Sequence, residues 1–251
     1  MTHFSAGEVI FVTGASGAIG FEIAAQAAEA GAIVGVHGSR PDRVAAAIVR
    51  LSARVPLGRF IGAPADFREP GAIEAAVEGV ASERGRLDAV IHCGITGATG
   101  VAGPFLRTDP AEFASHAELV LGTFQRLCHA ALPYLARQGG TIIGFASDAG
   151  RFASPRQAVI GAAFGGIMTF VRNLSLEVAR EGVRVHCLSP SFVADTPVFE
   201  AHAARADAAR QRAGLGLPTP ADIAPMALFL CGAGAARITG QVISINGGLN
   251  A

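Results

Sequence analysis

The chain contains no lysine and no tryptophan, and its only tyrosine is Tyr134. All 20 basic residues are therefore arginine, and 20 Asp and Glu residues balance their charge. A balanced charge gives no electrostatic support for binding to nucleic acid or to an acidic membrane surface, so we expect neither partner. The absence of lysine also excludes any site that depends on a lysine side chain.

Cysteine pairs and leader-like segments are absent as well. The four cysteines are far apart and form no CxxC pair, which favours reduced thiols over a zinc site, so we expect no metal; they are Cys93, Cys128, Cys187 and Cys231. No basic segment followed by an apolar run opens the chain, and we expect no apolar stretch long enough to span a bilayer. The sequence therefore predicts a soluble, cytoplasmic protein.

Apolar residues and short β-branched runs dominate what is present. Hydrophobic residues make up 51% of the 251 residues, and the mean hydropathy is +0.43. The length predicts one domain, residues 1–251. The apolar excess is typical of a parallel sheet covered by helices on both faces, with further apolar surface buried between subunits.

β-branched runs alternate with Ala-rich amphipathic stretches along the whole chain. This pattern predicts an α/β fold of the Rossmann type, a doubly wound parallel seven-stranded sheet in three layers. The predicted strands are Val9–Thr13, Ile33–His37, Gly58–Pro64, Ala89–His92, Thr141–Ala146, Val183–Leu188 and Gln241–Asn246. The predicted helices are Ile19–Ala30, Arg43–Ser52, Ile73–Arg84, Glu112–Ala136, Gln157–Glu181 and Ala221–Cys231. Residues 198–217 fit a helical flap over a pocket and a plain surface helix equally well.

A glycine-rich segment, residues 13–20, follows the first predicted strand directly and opens the first predicted helix. Glycines in this context let the backbone approach a pyrophosphate, whose charge then faces the free N–H groups of the helix N-terminus. The alternative is a tight turn that binds no ligand. The candidate cofactor-binding residues here are Gly14, Ser16, Gly17, Ile19 and Gly20.

The spacing TGxxxGxG in this segment resembles the fingerprint of the short-chain dehydrogenase/reductase family, in particular its 3-oxoacyl-acyl-carrier-protein-reductase-like members. Three further landmarks follow in the family's order: a NAG-like turn, an RVNxxxP-like run at residues 184–190 and a closing ITGQ…NGG at residues 238–248. The resemblance implies a nicotinamide cofactor and a small carbonyl substrate. It also implies cofactor contacts from Asp66, Phe67, His92, Cys93 and Gly94.

The end of the second strand bears on the choice of nucleotide. An NAD site places a carboxylate there for the ribose 2′-hydroxyl, but position 38 is glycine. Ser39 and Arg40 follow, and a hydroxyl with a guanidinium can hold a 2′-phosphate. We therefore expect NADP rather than NAD, although Arg40 and Arg43 also fit solvated residues at the start of the next helix.

The resemblance implies a catalytic tetrad of Ser, Tyr, Lys and Asn, in which the lysine lowers the pKa of the tyrosine. Ser147 stands at the serine position after the fifth strand. Aligned without a gap, the tyrosine and lysine positions fall on Ile160 and Phe164, and the asparagine position falls on Val120. A phenol with an ordinary pKa of about 10 needs such a cation near neutral pH, so ordinary carbonyl reduction is in doubt.

Neither a shifted register nor the neighbouring residues restore the tetrad. Tyr134 lies near the far end of the preceding helix, and no lysine exists to shift. Three residues are alternative proton donors: Asp148, His92 and Arg156. The other interpretation is that His92 is structural and that Asp148 and Arg156 are exposed loop residues.

The predicted nicotinamide side departs from the family pattern as well. The resemblance assigns Pro190, Val193 and Thr196 to this side, but serine follows Pro190 where the family has glycine. Thr196 comes one residue late, with Asp195 at the usual place. We therefore expect weaker cofactor binding than in working relatives.

Three functions remain open from the sequence. The first is an NADP(H)-dependent oxidoreductase that uses another proton donor. The second is a catalytically silent nucleotide-binding or structural partner of an active paralogue, and the third is a non-redox enzyme that uses Ser147 and an apolar pocket. The resemblance also implies a homo-tetramer, or a hetero-oligomer with a related subunit, formed through the two longest helices and the last strand.

Overall fold

The computed structural model describes residues 7–94, 101–200 and 203–250. They form one parallel sheet with the strand order β3-β2-β1-β4-β5-β6-β7, which confirms the predicted fold class. The order reverses between β1 and β4, and in such sheets this point opens a crevice at the carboxyl ends of the strands. The strands are β1 (Val9–Thr13), β2 (Ile33–Gly38), β3 (Arg59–Pro64), β4 (Ala89–His92), β5 (Gly140–Phe145), β6 (Val183–Pro190) and β7 (Val242–Ile245).

Helices cover both faces of the sheet and give two buried apolar clusters, one on each side. Helices α1, α2 and α9 pack on one face, and α3, α5 and α6 pack on the other. The helices are α1 (Ala18–Glu29), α2 (Pro41–Arg54), α3 (Ala72–Ser82), α4 (Glu112–Ala117), α5 (Thr123–Leu135), α6 (Ala158–Glu177), α7 (Pro197–Glu200), α8 (Ala203–Arg212) and α9 (Pro220–Cys231).

The predicted long helix Glu112–Ala136 is not a regular α-helix. A π-helical turn, Glu118–Gly122, separates α4 from α5. A π turn holds one more residue than an α turn, and such turns are frequent at functional sites. The apolar spacing of this stretch fits an α-helix throughout, so the sequence did not predict the turn. The next predicted helix also ends early, at Glu177, and a short 3₁₀ turn follows it.

The expectation that no apolar stretch is long enough to span a bilayer is wrong for α6 by length and composition. This helix has 20 residues and a mean hydropathy of 1.4. It nevertheless packs against β6 through Ile167, Met168 and Val171, which belong to the core of the domain. Only 33% of its apolar window is buried within the chain, which leaves much apolar surface on its outer side.

Residues 198–217, left open by the sequence, include most of α7, all of α8 and a following loop. Ala209 and Ala213 pack with Leu249, and Phe192 and Leu217 border this small cluster. The cluster is separate from the two large ones, so α8 rests on the carboxyl-terminal residues rather than on the sheet.

Candidate functional site

The glycine-rich segment, residues 13–20, forms a turn at the amino end of α1, and no side chain covers the N–H groups of the helix there. We call this turn the cradle. Gly14 has a φ of +69°, and a Cβ there would lie 2.8 Å from the backbone of Gly94. A Cβ on Gly20 would overlap the carbonyl oxygen of Gly14. Gly17 precedes the helix, and the first turn carries neither an acidic residue nor a side-chain cap. The amino end of α1 therefore fits a phosphate group, because its N–H groups have no side-chain acceptor.

His37 contacts the cradle at Gly14 and holds it in place. The sequence did not identify this residue. Its Nδ1 accepts a hydrogen bond from the Gly14 amide at 3.2 Å, and its Nε2 pairs with the Ala65 carbonyl at 3.0 Å. The ring stacks on Phe67 with 4.1 Å between centroids. Burial lowers the pKa of His37 to about 4, so the ring is neutral near pH 7. A lone histidine at the end of a strand gave no signal of this role.

The residues expected to select NADP lie at the carboxyl end of β2. A Cβ on Gly38 would lie 2.7 Å from Oγ of Ser16, so a larger side chain at this position requires the Ser16 hydroxyl to move. Ser39 is exposed, and Arg40 is exposed and paired with Asp42 at 2.6 Å. The guanidinium therefore stands at the rim of the cradle with a competing carboxylate beside it.

Asp66 and Phe67 follow β3, as expected for residues near an adenine. Asp66 forms an ion pair with Arg68, whose hydrogen bonds lower the pKa of the carboxyl group. Phe67 is buried against His37, and its carbonyl accepts a hydrogen bond from Arg126 on α5. Phe67 thus belongs to the wall of this site, while the Asp66 carboxylate remains partly exposed beside it.

The turn after β4 closes the cradle on its other side. Nδ1 of His92 lies 2.7 Å from Oγ1 of Thr13, and the ring stacks on Phe124 at 5.5 Å. Cys93 and Gly94 follow, and Gly94 packs directly on Gly14. Burial lowers the pKa of His92 to about 3, so it carries no extra proton near neutral pH. As an alternative proton donor His92 is unsuited, and its contacts fit the structural interpretation.

Ser147 lies at the carboxyl end of β5 and begins a short 3₁₀ turn, Asp148–Gly150. Its Oγ accepts a hydrogen bond from the Ala149 amide at 3.3 Å, and the residue is half-buried. Helix α6 packs closely on this turn, since a Cβ on Gly161 would lie 2.5 Å from the Ala149 carbonyl oxygen. The structure therefore brings Ser147 next to the helix that carries Ile160 and Phe164.

The three positions assigned to the missing tetrad residues carry apolar side chains, and two of them belong to the core packing. Val120 is fully buried in the π turn, and Phe164 is half-buried against the same core cluster. Ile160 is half-buried on α6. The π turn also contacts α6, where a Cβ on Gly166 would lie 2.8 Å from the Leu121 side chain. None of these three side chains carries a proton that could be transferred.

Asp148 contradicts the expectation of an exposed loop residue, because only 2% of it is exposed. Its carboxylate accepts hydrogen bonds from Ser189 at 3.0 Å, Ser244 at 2.8 Å, Asn246 at 2.6 Å and Asn250 at 3.3 Å. An ionised carboxylate has about four lone-pair sites, and four protein donors occupy them here. Asp148 therefore has no hydrogen-bonding site left for a substrate oxygen. The sequence did not predict these donors, because they lie 41 to 102 residues away along the chain.

The predicted nicotinamide side is built by the chain after β6. Pro190 ends the strand, and Val193 and Thr196 are buried. The Thr196 hydroxyl donates to the Val193 carbonyl at 2.8 Å and accepts from the Phe199 amide at 3.3 Å. This hydroxyl thus caps the start of α7, and Asp195 before it adopts a φ of +59°.

The remaining alternative donors lie elsewhere. Arg156 is exposed as expected and has a φ of +69°, and its carbonyl accepts a hydrogen bond from Gly103. Tyr134 lies in the last turn of α5, where Arg137 packs over its ring. Within residues 7–94, 101–200 and 203–250, no group of three His, Cys, Asp or Glu side chains could hold a metal ion.

Comparison with known proteins decides the family. The model of a family described as "Enoyl-(Acyl carrier protein) reductase" matches residues 14–250. The chain is also 32% identical over 257 residues to the 3-oxoacyl-[acyl-carrier-protein] reductase FabG of Chlamydia trachomatis, covering 99% of this chain and 100% of the relative. The chain belongs to the short-chain dehydrogenase/reductase family. Within this family it is a 3-oxoacyl-acyl-carrier-protein-reductase-like member.

Solved short-chain dehydrogenase/reductase structures agree with this assignment. An enzyme of this type from Mycobacterium ulcerans superposes with a TM-score of 0.91 at 26% identity, covering 98% of this chain and 91% of that chain. Two further neighbours have the same fold at 24% identity. One is a 7α-hydroxysteroid dehydrogenase in complex with NADH, with a TM-score of 0.89 and coverage of 98% and 96%. The other is an L-sorbose reductase from Gluconobacter frateurii in complex with NADPH, with a TM-score of 0.87 and coverage of 99% and 98%.

Proposed function

We propose that this protein is an NADP(H)-binding member of the oxidoreductase family that does not carry out the family's ordinary carbonyl reduction. One observation carries the proposal: the glycine-rich turn after β1 and Ser147 after β5 lie at the carboxyl edge of one parallel sheet, and Ser147 is accompanied by Val120, Ile160 and Phe164 at the other tetrad positions. The assignment of these three positions to Asn, Tyr and Lys rests on the family register.

The nucleotide half of the proposal follows from the cradle. Gly14 and Gly20 are required by close backbone contacts, and these contacts leave the amino end of α1 open to a pyrophosphate. By the family resemblance Asp66 and Phe67 would contact the adenine, and Arg40 at the end of β2 would contact a 2′-phosphate. When bound, the cofactor supplies the hydride, and the residues of this chain supply binding and orientation.

The catalytic half of the proposal concerns the proton. Reduction of a ketone adds a hydride to carbon and a proton to oxygen, and a positioned acid commonly contributes 10²–10⁴-fold in rate. Ser147 can donate a hydrogen bond to a carbonyl oxygen, but a serine hydroxyl is a weak acid and no cation stands at position 164 to assist it. Ser147 therefore orients a bound ligand without completing the reaction.

NADPH is expected to bind more tightly than NADH, and Arg40→Ala is expected to remove most of this preference. A charge-assisted hydrogen bond contributes roughly 1.5–3 kcal/mol, which corresponds to about 10–150-fold in affinity. Isothermal titration calorimetry with both nucleotides measures this difference. Arg50→Ala is the matched control, because it removes the same charge from the far end of α2, where Arg50 packs over Phe21. Equal affinity for the two nucleotides, or tighter NADH binding, would contradict the assignment.

A second candidate is a catalytically silent partner of an active paralogue. It is favoured by Val120, which is fully buried, and by Phe164, which packs against the core, so both positions contribute to stability rather than to a reaction. Robust ketone reduction by the unmodified protein would refute both candidates. The ligand that the first candidate would hold beside Ser147 is a small carbonyl compound, and both candidates place the protein in the cytoplasm.

We expect a homo-tetramer, or a hetero-oligomer with a related subunit, assembled through α5, α6 and β7. The outer side of α6 leaves Leu176 77% exposed, and β7 is a half-buried edge strand. Light scattering of the purified chain should give about four times the protomer mass of 25.5 kDa. Leu176→Arg should lower that mass, whereas Leu57→Arg, at a 97% exposed position outside these elements, should not. A monomer at micromolar concentration would overturn the homo-tetramer.

A further inference from the structure

Asp148 joins parts of the chain that are far apart in the sequence. It lies in the turn after β5, directly beside Ser147. Ser189 at the end of β6, Ser244 in β7, and Asn246 and Asn250 beyond β7 all donate to its carboxylate, across 41 to 102 residues of sequence. We call these five residues the Asp148 network. All four donors are uncharged side chains.

Asn246 extends this connection into the carboxyl-terminal turn, residues 246–250. Its Nδ2 donates both to Asp148 and to the Asn250 carbonyl, the latter at 2.8 Å, and its Oδ1 accepts from the Gly248 amide at 2.9 Å. Each polar atom of this buried side chain is therefore used. The position of the carboxyl-terminal turn is set by Asn246, and the position of Asn246 is set by Asp148.

The carboxyl-terminal turn also contacts residues 203–217, which we call the α8 segment. The Leu215 amide donates to the Gly247 carbonyl at 2.9 Å. A Cβ on Gly247 would overlap the Gly216 carbonyl oxygen, so the two backbones are in direct contact. Leu249 packs with Ala209 and Ala213 of the α8 segment. The α8 segment belongs to neither large core cluster, and it also contacts α7, where Arg210 lies over the Phe199 ring.

We propose that Asp148 is a positioning residue that couples the α8 segment to the turn carrying Ser147. Asp148 and Ser147 are consecutive, and Ser147 caps the same 3₁₀ turn through the Ala149 amide. A change in the placement of α8 is therefore transmitted through Asn246 and Asp148 to the orientation of Ser147. The effect on a ligand beside Ser147 rests on the proposed function, but the coupling itself does not.

A charge swap tests the coupling. Asn246→Asp places a second carboxyl group against that of Asp148, where the present donor and acceptor are 2.6 Å apart; the two repel each other when both are ionised, and the amide donor to the Asn250 carbonyl is lost as well. The double variant Asp148→Asn with Asn246→Asp reverses the polarity of the same hydrogen bond, and the amide oxygen introduced at position 148 still accepts from both serines, but the hydrogen bonds to Asn250 are not recovered. Asn246→Asp should detach the carboxyl-terminal turn, and the double variant should restore part of the contact.

Amide hydrogen exchange of the full chain without nucleotide gives the readout. In Asn246→Asp we expect exchange to accelerate at least about tenfold at Leu215 and Gly248, and at Ala149 and Gly150 beside Ser147, with β1 unchanged. Trypsin should cut faster after Arg210 and Arg212, both exposed on α8. The double variant should return both readouts part of the way to those of the unmodified chain.

Two further variants keep the test decisive. Asp88→Asn is the matched control, because Asp88 also accepts hydrogen bonds across the sheet, from Val9 and Gln138, but at the opposite ends of the strands. It should leave α8 unaffected. If Asn246→Asp does not fold, Asn250→Ala, which removes only the 3.3 Å donor, should give the same pattern at smaller size. Faster exchange in α8 without any change at residues 149–150, or a double variant no better than Asn246→Asp, overturns the proposal. Nucleotide titration of the same variants tests the proposed function separately.

Discussion

The unmodified chain is expected to reduce no simple activated ketone above background, and the triple variant Val120→Asn, Ile160→Tyr, Phe164→Lys is expected to do so with NADPH. The three changes place a phenol, an ammonium group and an amide around Ser147 at the family's positions. The ammonium group lowers the pKa of the phenol from about 10, and positioned acid catalysis contributes roughly 10²–10⁴-fold in rate. Steady-state NADPH oxidation at saturating nucleotide measures the gain.

The control for this experiment replaces the lysine alone. With Phe164→Met in place of Phe164→Lys, the side chain has similar length and no charge, so most of the gain should disappear. Polar groups placed in an apolar region cost about 1–3 kcal/mol each when they lack partners, and thermal unfolding should be followed in parallel. A folded, NADPH-binding triple variant without activity would show that the nicotinamide is not held beside Ser147.

Mild acid is expected to unfold the protein. His37 and His186 have pKa values of about 4 and His92 of about 3, in each case chiefly because burial disfavours the charged imidazolium, with Arg184 lowering the value at His186 further. In the unfolded chain these side chains titrate near 6.5. Between about pH 6.5 and 4 the unfolded state therefore binds protons that the native state does not. The free energy of unfolding should fall by about 1.4 kcal/mol per pH unit for each histidine as the pH is lowered.

Three such histidines together approach the whole stability of a typical domain, roughly 5–15 kcal/mol. Urea unfolding at several pH values from 7.5 to 4.5 measures the slope, and this window lies above the range in which most carboxylates titrate. His186→Asn should reduce the slope by about a third. His129→Asn, at an exposed position on α5, should leave it unchanged. Stability that stays constant between pH 6.5 and 4.5 would contradict the prediction.

The sheet and the cradle could be predicted because each depends on residues that are close in sequence. Buried β-branched runs predict strands, and a glycine-rich turn between a strand and a helix predicts a phosphate site. The predicted strands therefore agree with the observed ones within one or two residues at each end. Continuous apolar runs mark most of these strands in the local sequence, as in β1, where every residue is buried.

What the sequence could not predict depends on long-range contacts. The burial of Asp148 requires donors from β6, β7 and the carboxyl-terminal turn, and no local pattern announces them. The contact of Gly38 with Ser16 likewise appears only when β2 and the cradle are placed side by side. From the sequence this glycine is interpreted as a missing ligand for NAD, and the structure adds that a larger side chain there would displace the Ser16 hydroxyl.

The π turn between α4 and α5 amounts to one inserted residue within a helix. If the same residues formed a continuous α-helix without this turn, every later side chain would be rotated by about 100° about the helix axis, which would take Phe124 and Leu127 out of the core. Exchanging the side chain at Val120 has no such effect, since it leaves the backbone frame unaltered. A polar side chain can therefore be gained or lost at this position by substitution alone. The backbone geometry of the centre stays the same when its side chains change.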